Sequence, residues 1–156
     1  MLTRRTTLRF GLGLLAASTT LIATRASAAE PNIYQDAGIA IDGADAVAFF
    51  GLAEEDAPVI GQAEHALDWN GAIWHFANAE NRAIFEANPE AYAPAFGGYC
   101  AYAAARGYVA STVPEAWSVV DGRLFLNYSR RIRRRWLREL PEAIGRGDTN
   151  YPAMLG

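Results

Sequence analysis

The sequence predicts an α+β domain: a small antiparallel β-sheet of hairpins covered by short helices and a C-terminal amphipathic helix. Asn70-Gly71 and Asp121-Gly122 each separate two apolar runs. Both pairs favour a two-residue hairpin turn, because Asn, Asp and Gly tolerate the positive φ that its central residues need. Near the C-terminus, apolar residues recur every fourth position over residues 132–140, which is typical of a helix that covers a sheet.

The first 28 residues predict export. Arg4 and Arg5 precede an apolar run over residues 10–23, and the pattern resembles a twin-arginine signal. The run is shorter than the roughly 20 residues of a membrane-spanning helix. Ala26-Ser27-Ala28 supplies a small-x-small cleavage site. We therefore expect a signal peptide over residues 1–28, cleavage near Ala28, and a single periplasmic domain over residues 29–156.

The composition of the mature chain narrows the classes of function. Without residues 1–28 it has 10 basic and 17 acidic side chains, an excess of seven negative charges, which argues against nucleic acid as a partner. One cysteine excludes an intrachain disulfide, so packing must stabilise the fold. No Ser-His-Asp set, phosphate loop or cluster of carboxylates stands out, so the sequence favours a protein that is not an enzyme.

In the first part of the mature chain, Asp42-Gly43 predicts a turn, and residues 46–50 predict a buried strand or helical turn. Asp45 is interpreted as a turn or cap residue. Residues 54–58 predict an acidic surface loop.

The first hairpin has two possible registers. A two-residue turn pairs Trp69 with Ala72, Leu67 with Trp74, and His65 with Phe76, which gathers the apolar side chains on one face. A three-residue turn would set His65 opposite His75 but would divide that face. We therefore expect the first register, in which the two histidines do not share a metal.

Helical segments follow the first hairpin. Asn78 is expected to cap a helix over residues 79–87, and Asn88 with Pro89 starts another. Residues 99–106 predict a third helix closed by Gly107, with Cys100 in its first turn.

The second hairpin leads into an arginine-rich C-terminal helix, which either Asn127 or Ser129 is expected to cap. The arginines of this helix are Arg130, Arg131, Arg133, Arg134, Arg135 and Arg138. They predict either a patch for anionic lipid or an acidic partner, or a solvated face paired with nearby acids.

Several segments together resemble YHS domains, small modules found alone or attached to copper-transporting ATPases and some hydroxylases. The similarity lies in WHFANAENRAIFEANPEAY, AIDGADAVAFF, GGYCAYA and DGRLFLNY. The chain is similar to the exported branch of this family, described as YHS-domain (seleno)proteins. The resemblance implies a soft metal such as copper, or thiol chemistry. Metal-linked members carry two cysteines four residues apart, but this chain has Ala77 and Asn81 at those positions.

Cys100 is the candidate site residue. A thiol in the first turn of a helix feels the partial positive charge of free N–H groups, which favours a thiolate. We expect a ligand site at Cys100 with aromatic walls from Tyr99, Tyr102 and Trp74, and His75 as a second metal ligand. The alternative interpretation is a buried cysteine that only packs.

Two classes of function follow, and a third remains open. The sequence predicts a periplasmic binding module for copper, another soft metal or a small ligand near Cys100. The alternative is a thiol-redox protein in which Cys100 reacts with an external partner, since the chain has no second cysteine. A structural or interaction domain without a ligand is the remaining possibility.

Overall fold

The computed structural model describes residues 28–156, so the predicted signal peptide lies almost entirely outside the described residues. The strands are β1 (Gln35–Asp36), β2 (Ile39–Ala40), β3 (Gln62–Trp69), β4 (Ala72–Phe76), β5 (Val113–Val120) and β6 (Arg123–Asn127). The α-helices are α1 (Ala79–Ala87), α2 (Pro89–Tyr92), α3 (Ala101–Ala104), α4 (Arg130–Leu137) and α5 (Glu142–Asn150). Short 3₁₀ turns cover Ile41–Gly43, Ala48–Gly51, Ala95–Gly98 and Ala153–Leu155.

The predicted α+β class is confirmed, but the two hairpins lie in separate sheets instead of one. One sheet has the order β1-β2-β4-β3, and β5 and β6 form the other. Strand β2 runs parallel to β4, with Ile39 opposite Ile73, and so occupies the edge of β4 that the second hairpin would have needed. The second hairpin packs on the first through side chains, since Leu124 and Leu126 share a core cluster with Trp74.

The predicted register of the first hairpin is confirmed near its turn and wrong at its far end. Trp69 faces Ala72 and Leu67 faces Trp74, as expected, but Phe76 faces Gln62 and not His65. The pairing shifts between Gln62 and Leu67. Inside the shifted stretch the carbonyl of Ala66 accepts a hydrogen bond from Nε of Arg82 at 2.9 Å. This bond to α1 gives the carbonyl a partner outside the strand ladder, which fits a local break in pairing.

The caps of the longer helices follow the sequence. The side chain of Asn78 accepts a hydrogen bond from the backbone N–H of Asn81 and starts α1. Ser129, and not Asn127, caps α4 by accepting from the N–H of Ile132 at 3.2 Å. Pro89 opens α2 as expected, although Asn88 makes no side-chain cap there.

The third helix is shorter than predicted. It covers only Ala101–Ala104, and Cys100 lies before its first residue, not in its first turn. The preceding Gly97 has a φ of +63°, and a Cβ there would stand 2.1 Å from the carbonyl oxygen of Asn32. This close approach fixes the chain in a non-helical path up to Tyr99, so the helix begins late.

Two apolar clusters form the core. The first surrounds Trp74 and Phe85 between the four-stranded sheet and the second hairpin. The second surrounds Trp136 and Phe125 under α4 and α5. Among residues 28–156, no helix combines the length and apolar character that crossing a membrane requires.

Candidate functional site

The thiol of Cys100 is buried where the start of α3 meets the end of β6. Cys100 is only 1% exposed. Its Sγ accepts a hydrogen bond from the backbone N–H of Tyr128 at 3.3 Å and lies 3.6 Å from Oδ1 of Asn127, to which the thiol donates. The same Oδ1 accepts from the N–H of Tyr102 at 3.1 Å. The side chain of buried Asn127 thus holds the thiol in one orientation.

A small pocket opens above this thiol. Its volume is about 160 Å³, and its lining is almost entirely apolar. The residues that line it are Cys100, Tyr102, Ala103, Tyr108, Ala110, Tyr128 and Ile132. Tyr108 and Tyr128 are 50% and 57% exposed, which is unusual for such large side chains. The pocket therefore joins a buried thiol to a partly exposed aromatic wall.

The structure brings together only part of the predicted ligand site. Cys100 and Tyr102 line the same pocket, whereas Tyr99 and Trp74 do not. The hydroxyl of Tyr99 donates to the carbonyl of Pro31 at 2.9 Å, which ties down the N-terminal segment. Trp74 is 1% exposed, packs on Phe85, and donates from Nε1 to the carbonyl of Trp69. Both side chains stabilise the fold away from the thiol.

The sequence did not predict five of the residues that line the pocket, which are Ala103, Tyr108, Ala110, Tyr128 and Ile132. Tyr108, Tyr128 and Ile132 are the large side chains among them. Tyr128 directly follows β6 and Ile132 lies one turn into α4, so the hairpin and helix predictions placed them within reach of one another. The distance of these residues from Cys100 depends on the path of the chain between α3 and β5. No local sequence pattern predicts that path.

His75 does not line the pocket of Cys100, and the soft-metal site stays a prediction. His75 lies in β4, where its Nδ1 stands 3.4 Å from the position of a Cβ on Gly43. The polar neighbours of the sulfur are instead the amide of Asn127 and the N–H of Tyr128. Residues 28–156 contain no group of three or more His, Cys, Asp or Glu side chains that could hold a metal ion. The expected thiolate stabilisation also loses its basis, because α3 has four residues and Cys100 precedes them.

A buried carboxylate connects the end of β4 with the start of α1. Asp45 is fully buried and accepts hydrogen bonds from the N–H of Ala77 at 2.8 Å and from Nδ2 of Asn81 at 2.7 Å. It also accepts from the N–H groups of Val47 and Ala48, which is the cap role that the sequence predicted. Four donors satisfy this carboxylate, so it acts as a fixed junction of three segments.

One arginine of α4 is buried instead of exposed, although it pairs with acids as the second prediction for that face expected. Arg133 is 3% exposed and donates from Nε to Oγ of Ser118 at 2.7 Å. Its two terminal nitrogens donate to the carboxylates of Glu54 and Glu55. The Arg133 guanidinium lowers the pKa of Glu55, first by this hydrogen bond and then by its charge.

The remaining arginines of the helix are partly or largely exposed, and the predicted contact with an anionic lipid or acidic partner stays a prediction for them. Comparisons of the chain with protein-family models, with curated proteins and with solved structures find no match. The YHS resemblance therefore also stays a prediction, and function is inferred from the geometry of the sites.

Proposed function

We propose that this chain is an exported, non-enzymatic binding module that takes a small, largely apolar ligand in the pocket above Cys100. The observation that carries the proposal is the thiol at the base of an apolar pocket with an exposed aromatic wall. Apolar pockets with a few placed polar groups are the common form of a small-molecule site.

The size and chemistry of the pocket limit the ligand. A volume of about 160 Å³ is smaller than most sites for drug-sized molecules. The ligand therefore has one small ring or a short alkyl chain. The rings of Tyr108 and Tyr128 offer faces against which an aromatic ligand can pack.

Binding is favoured over catalysis by the side chains that line the pocket. Apart from the thiol, the titratable groups that line it are the hydroxyls of Tyr102, Tyr108 and Tyr128. Among residues 28–156, no carboxylate or histidine lines the pocket to move a proton to or from a substrate. The hydrogen bonds of the thiol are made to an amide and to a backbone N–H, and neither is a general base.

One observation favours a second candidate, a thiol-redox protein. The N–H of Tyr128 donates to Sγ of Cys100, and such a bond stabilises a thiolate. Attack of the thiolate on a peroxide would give sulfenic acid and release hydroxide or an alkoxide. A thiol of another molecule would then form a mixed disulfide with Cys100 and release water, and a second external thiol would free the Cys100 thiol and leave an external disulfide. The 1% exposure of Cys100 limits access, which is why the binding function ranks first.

Phenol is a suitable probe of the binding function, because it combines a small ring with one polar group. Phenol should shift the NMR signals of the Ile132 methyl groups and the Tyr128 amide in a saturable way. Ala110→Leu should abolish the shifts by filling the pocket that Ala110 lines. Ala83→Leu, on the exposed side of α1, is the matched control and should leave them unchanged.

The same samples distinguish the two candidates. Phenol should slow alkylation of Cys100 by iodoacetamide, because it covers the thiol. Absence of any saturable shift, together with stoichiometric formation of sulfenic acid by hydrogen peroxide, would replace the binding function by the redox function. Absence of both would leave a structural domain.

Export is the part of the proposal that rests on residues 1–28. Changing Arg4 and Arg5 to Lys should leave unprocessed precursor in the cytoplasm, since the paired arginines are the recognised feature of such signals. Mass spectrometry of the periplasmic protein should find Ala29 as its first residue. Processing that is unaffected by both changes would point to the general secretory route.

A further inference from the structure

The guanidinium of Arg133 lies at the wall of a second cavity, away from the Cys100 pocket. This cavity has a volume of about 310 Å³. Its lining residues are Leu52, Glu54, Trp117, Ser118, Val119, Val120, Arg133 and Leu137. A buried positive charge therefore faces a cavity whose lining combines polar groups with the apolar side chains of Leu52, Trp117 and Leu137.

The two ends of this guanidinium are held differently. Nε donates to Oγ of Ser118, which is 5% exposed and belongs to β5. The terminal nitrogens donate to one oxygen of Glu54 and one oxygen of Glu55. The two terminal nitrogens of a guanidinium form a fork that can bind both oxygens of one carboxylate, but here the fork is shared between two carboxylates.

The carboxylates are the exchangeable half of this arrangement. The side chains of Glu54 and Glu55 are 74% and 59% exposed, while that of Arg133 is 4% exposed. An exposed acid gains little from an ion pair and loses little when it returns to water. Arg133 has no such freedom, because its charge stays buried and needs an anion. Glu55 also has a φ of +72°, a conformation that costs energy for a residue with a side chain.

We propose that the Arg133 cavity is a binding site for a small organic carboxylate with an apolar body, and that Glu54 and Glu55 close it as internal competitors. The carboxylate of the ligand replaces the two loop carboxylates on the guanidinium fork. Its apolar body packs against Leu52, Trp117 and Leu137. The apolar side chains of the lining favour an organic carboxylate over inorganic phosphate, whose additional oxygens would lie against them without partners.

The structure contains a reporter for this exchange. The indole N–H of Trp117 donates to the carbonyl of Asp56 at 3.0 Å, and Asp56 follows the two glutamates in the same loop. Displacement of the loop breaks this bond. The indole ¹⁵N–¹H signal of Trp117 should therefore move when a ligand enters.

The test compares sodium benzoate with sodium chloride and sodium phosphate at equal ionic strength. In the Glu54→Gln/Glu55→Gln variant, benzoate should move the Trp117 indole signal and raise the melting temperature in a saturable way. Its Kd should be at least about tenfold lower than in the unmodified chain, as expected if the competing loop is closed for about nine-tenths of the time. The matched control, Glu64→Gln/Glu115→Gln, removes two exposed acids elsewhere and should bind benzoate like the unmodified chain.

A third change assigns the effect to the guanidinium. Arg133→Lys in the Glu54→Gln/Glu55→Gln background keeps the charge but removes the fork, and it should weaken benzoate binding at least about tenfold. Three results would overturn the proposal: equal responses to benzoate and phosphate, equal benzoate affinity with and without Glu54 and Glu55, or undiminished binding in the lysine variant. The first would indicate a general anion site, and the others an ion pair that only holds the loop.

Discussion

Asp45 and Arg133 are the two charged side chains that are buried in the described part of the chain, and they are held in opposite ways. Every donor to Asp45 is a backbone N–H or the amide of half-buried Asn81, so its partners belong to packed elements. The carboxylates around Arg133 belong to an exposed loop.

This difference separates a structural charge from an available one. A buried charge whose partners cannot leave fixes the segments around it. A buried charge whose partners are exposed can exchange them for a ligand of the same sign. Burial is the same in both cases, so the exposure of the partners is the more informative quantity.

The largest loss of stability is expected when Asp45 is replaced. Asp45→Ala leaves four donors without their acceptor and should lower the free energy of unfolding by about 3–5 kcal/mol. Urea denaturation followed by circular dichroism measures it. Asp68→Asn, an exposed change in β3, is the control and should be nearly neutral. A loss below about 1 kcal/mol for Asp45→Ala would mean that water replaces the carboxylate and that the junction is not fixed.

Replacement of Arg133 should cost less stability than replacement of Asp45. Arg133→Met returns Glu54 and Glu55 to water and fills part of the space with apolar atoms, so the expected loss is about 1–2 kcal/mol. The same denaturation experiment applies. A loss equal to that of Asp45→Ala would show that the loop carboxylates are fixed partners, and the comparison would fail.

Tyr99 is a buried neutral side chain, and its hydroxyl donates to the carbonyl of Pro31. Burial, together with the smaller contribution of the charge of Glu30, raises its pKa to about 12. Because the folded protein holds the phenolic proton more tightly than the unfolded chain, this contribution to stability is complete below pH 10 and is lost between pH 10 and about 12. Tyr99→Phe should flatten that part of the stability curve. An unchanged alkaline slope would mean that the bond to Pro31 is not what ionisation breaks.

The smallest effect is expected for Glu55, which is exposed. The hydrogen bond from Arg133 lowers its pKa, so its contribution is present above the ordinary value of 4.5 and is lost as the pH falls below it. The difference in melting temperature between the unmodified chain and Glu55→Gln should therefore shrink below pH 4.5. A difference that persists at lower pH would assign the effect of Glu55 to packing.

The sequence predicted what depends on neighbouring residues. The Asn70-Gly71 and Asp121-Gly122 turns, the cap at Asn78 and the helix after Ser129 are all formed by residues within a few positions of one another. Local chemistry decides them, so a single sequence contains the necessary information.

The features that were missed depend on distant contacts. The break in β3 coincides with a bond from Arg82, 16 positions from Ala66, and the late start of α3 follows from the approach of Gly97 to Asn32. Arg133 pairs with glutamates 78 and 79 positions away. A pattern of arginines on one helix cannot show which of them will meet such a loop.

Residues 30 and 155 lie side by side, since the N–H of Glu30 donates to the carbonyl of Leu155 at 2.9 Å. A circular permutant is therefore within reach, in which a short glycine linker joins residue 156 to residue 29. New ends between Asp56 and Ala57, in the exposed loop, would leave both sheets uninterrupted. Such a chain would keep the fold while freeing one end of the segment that closes the Arg133 cavity.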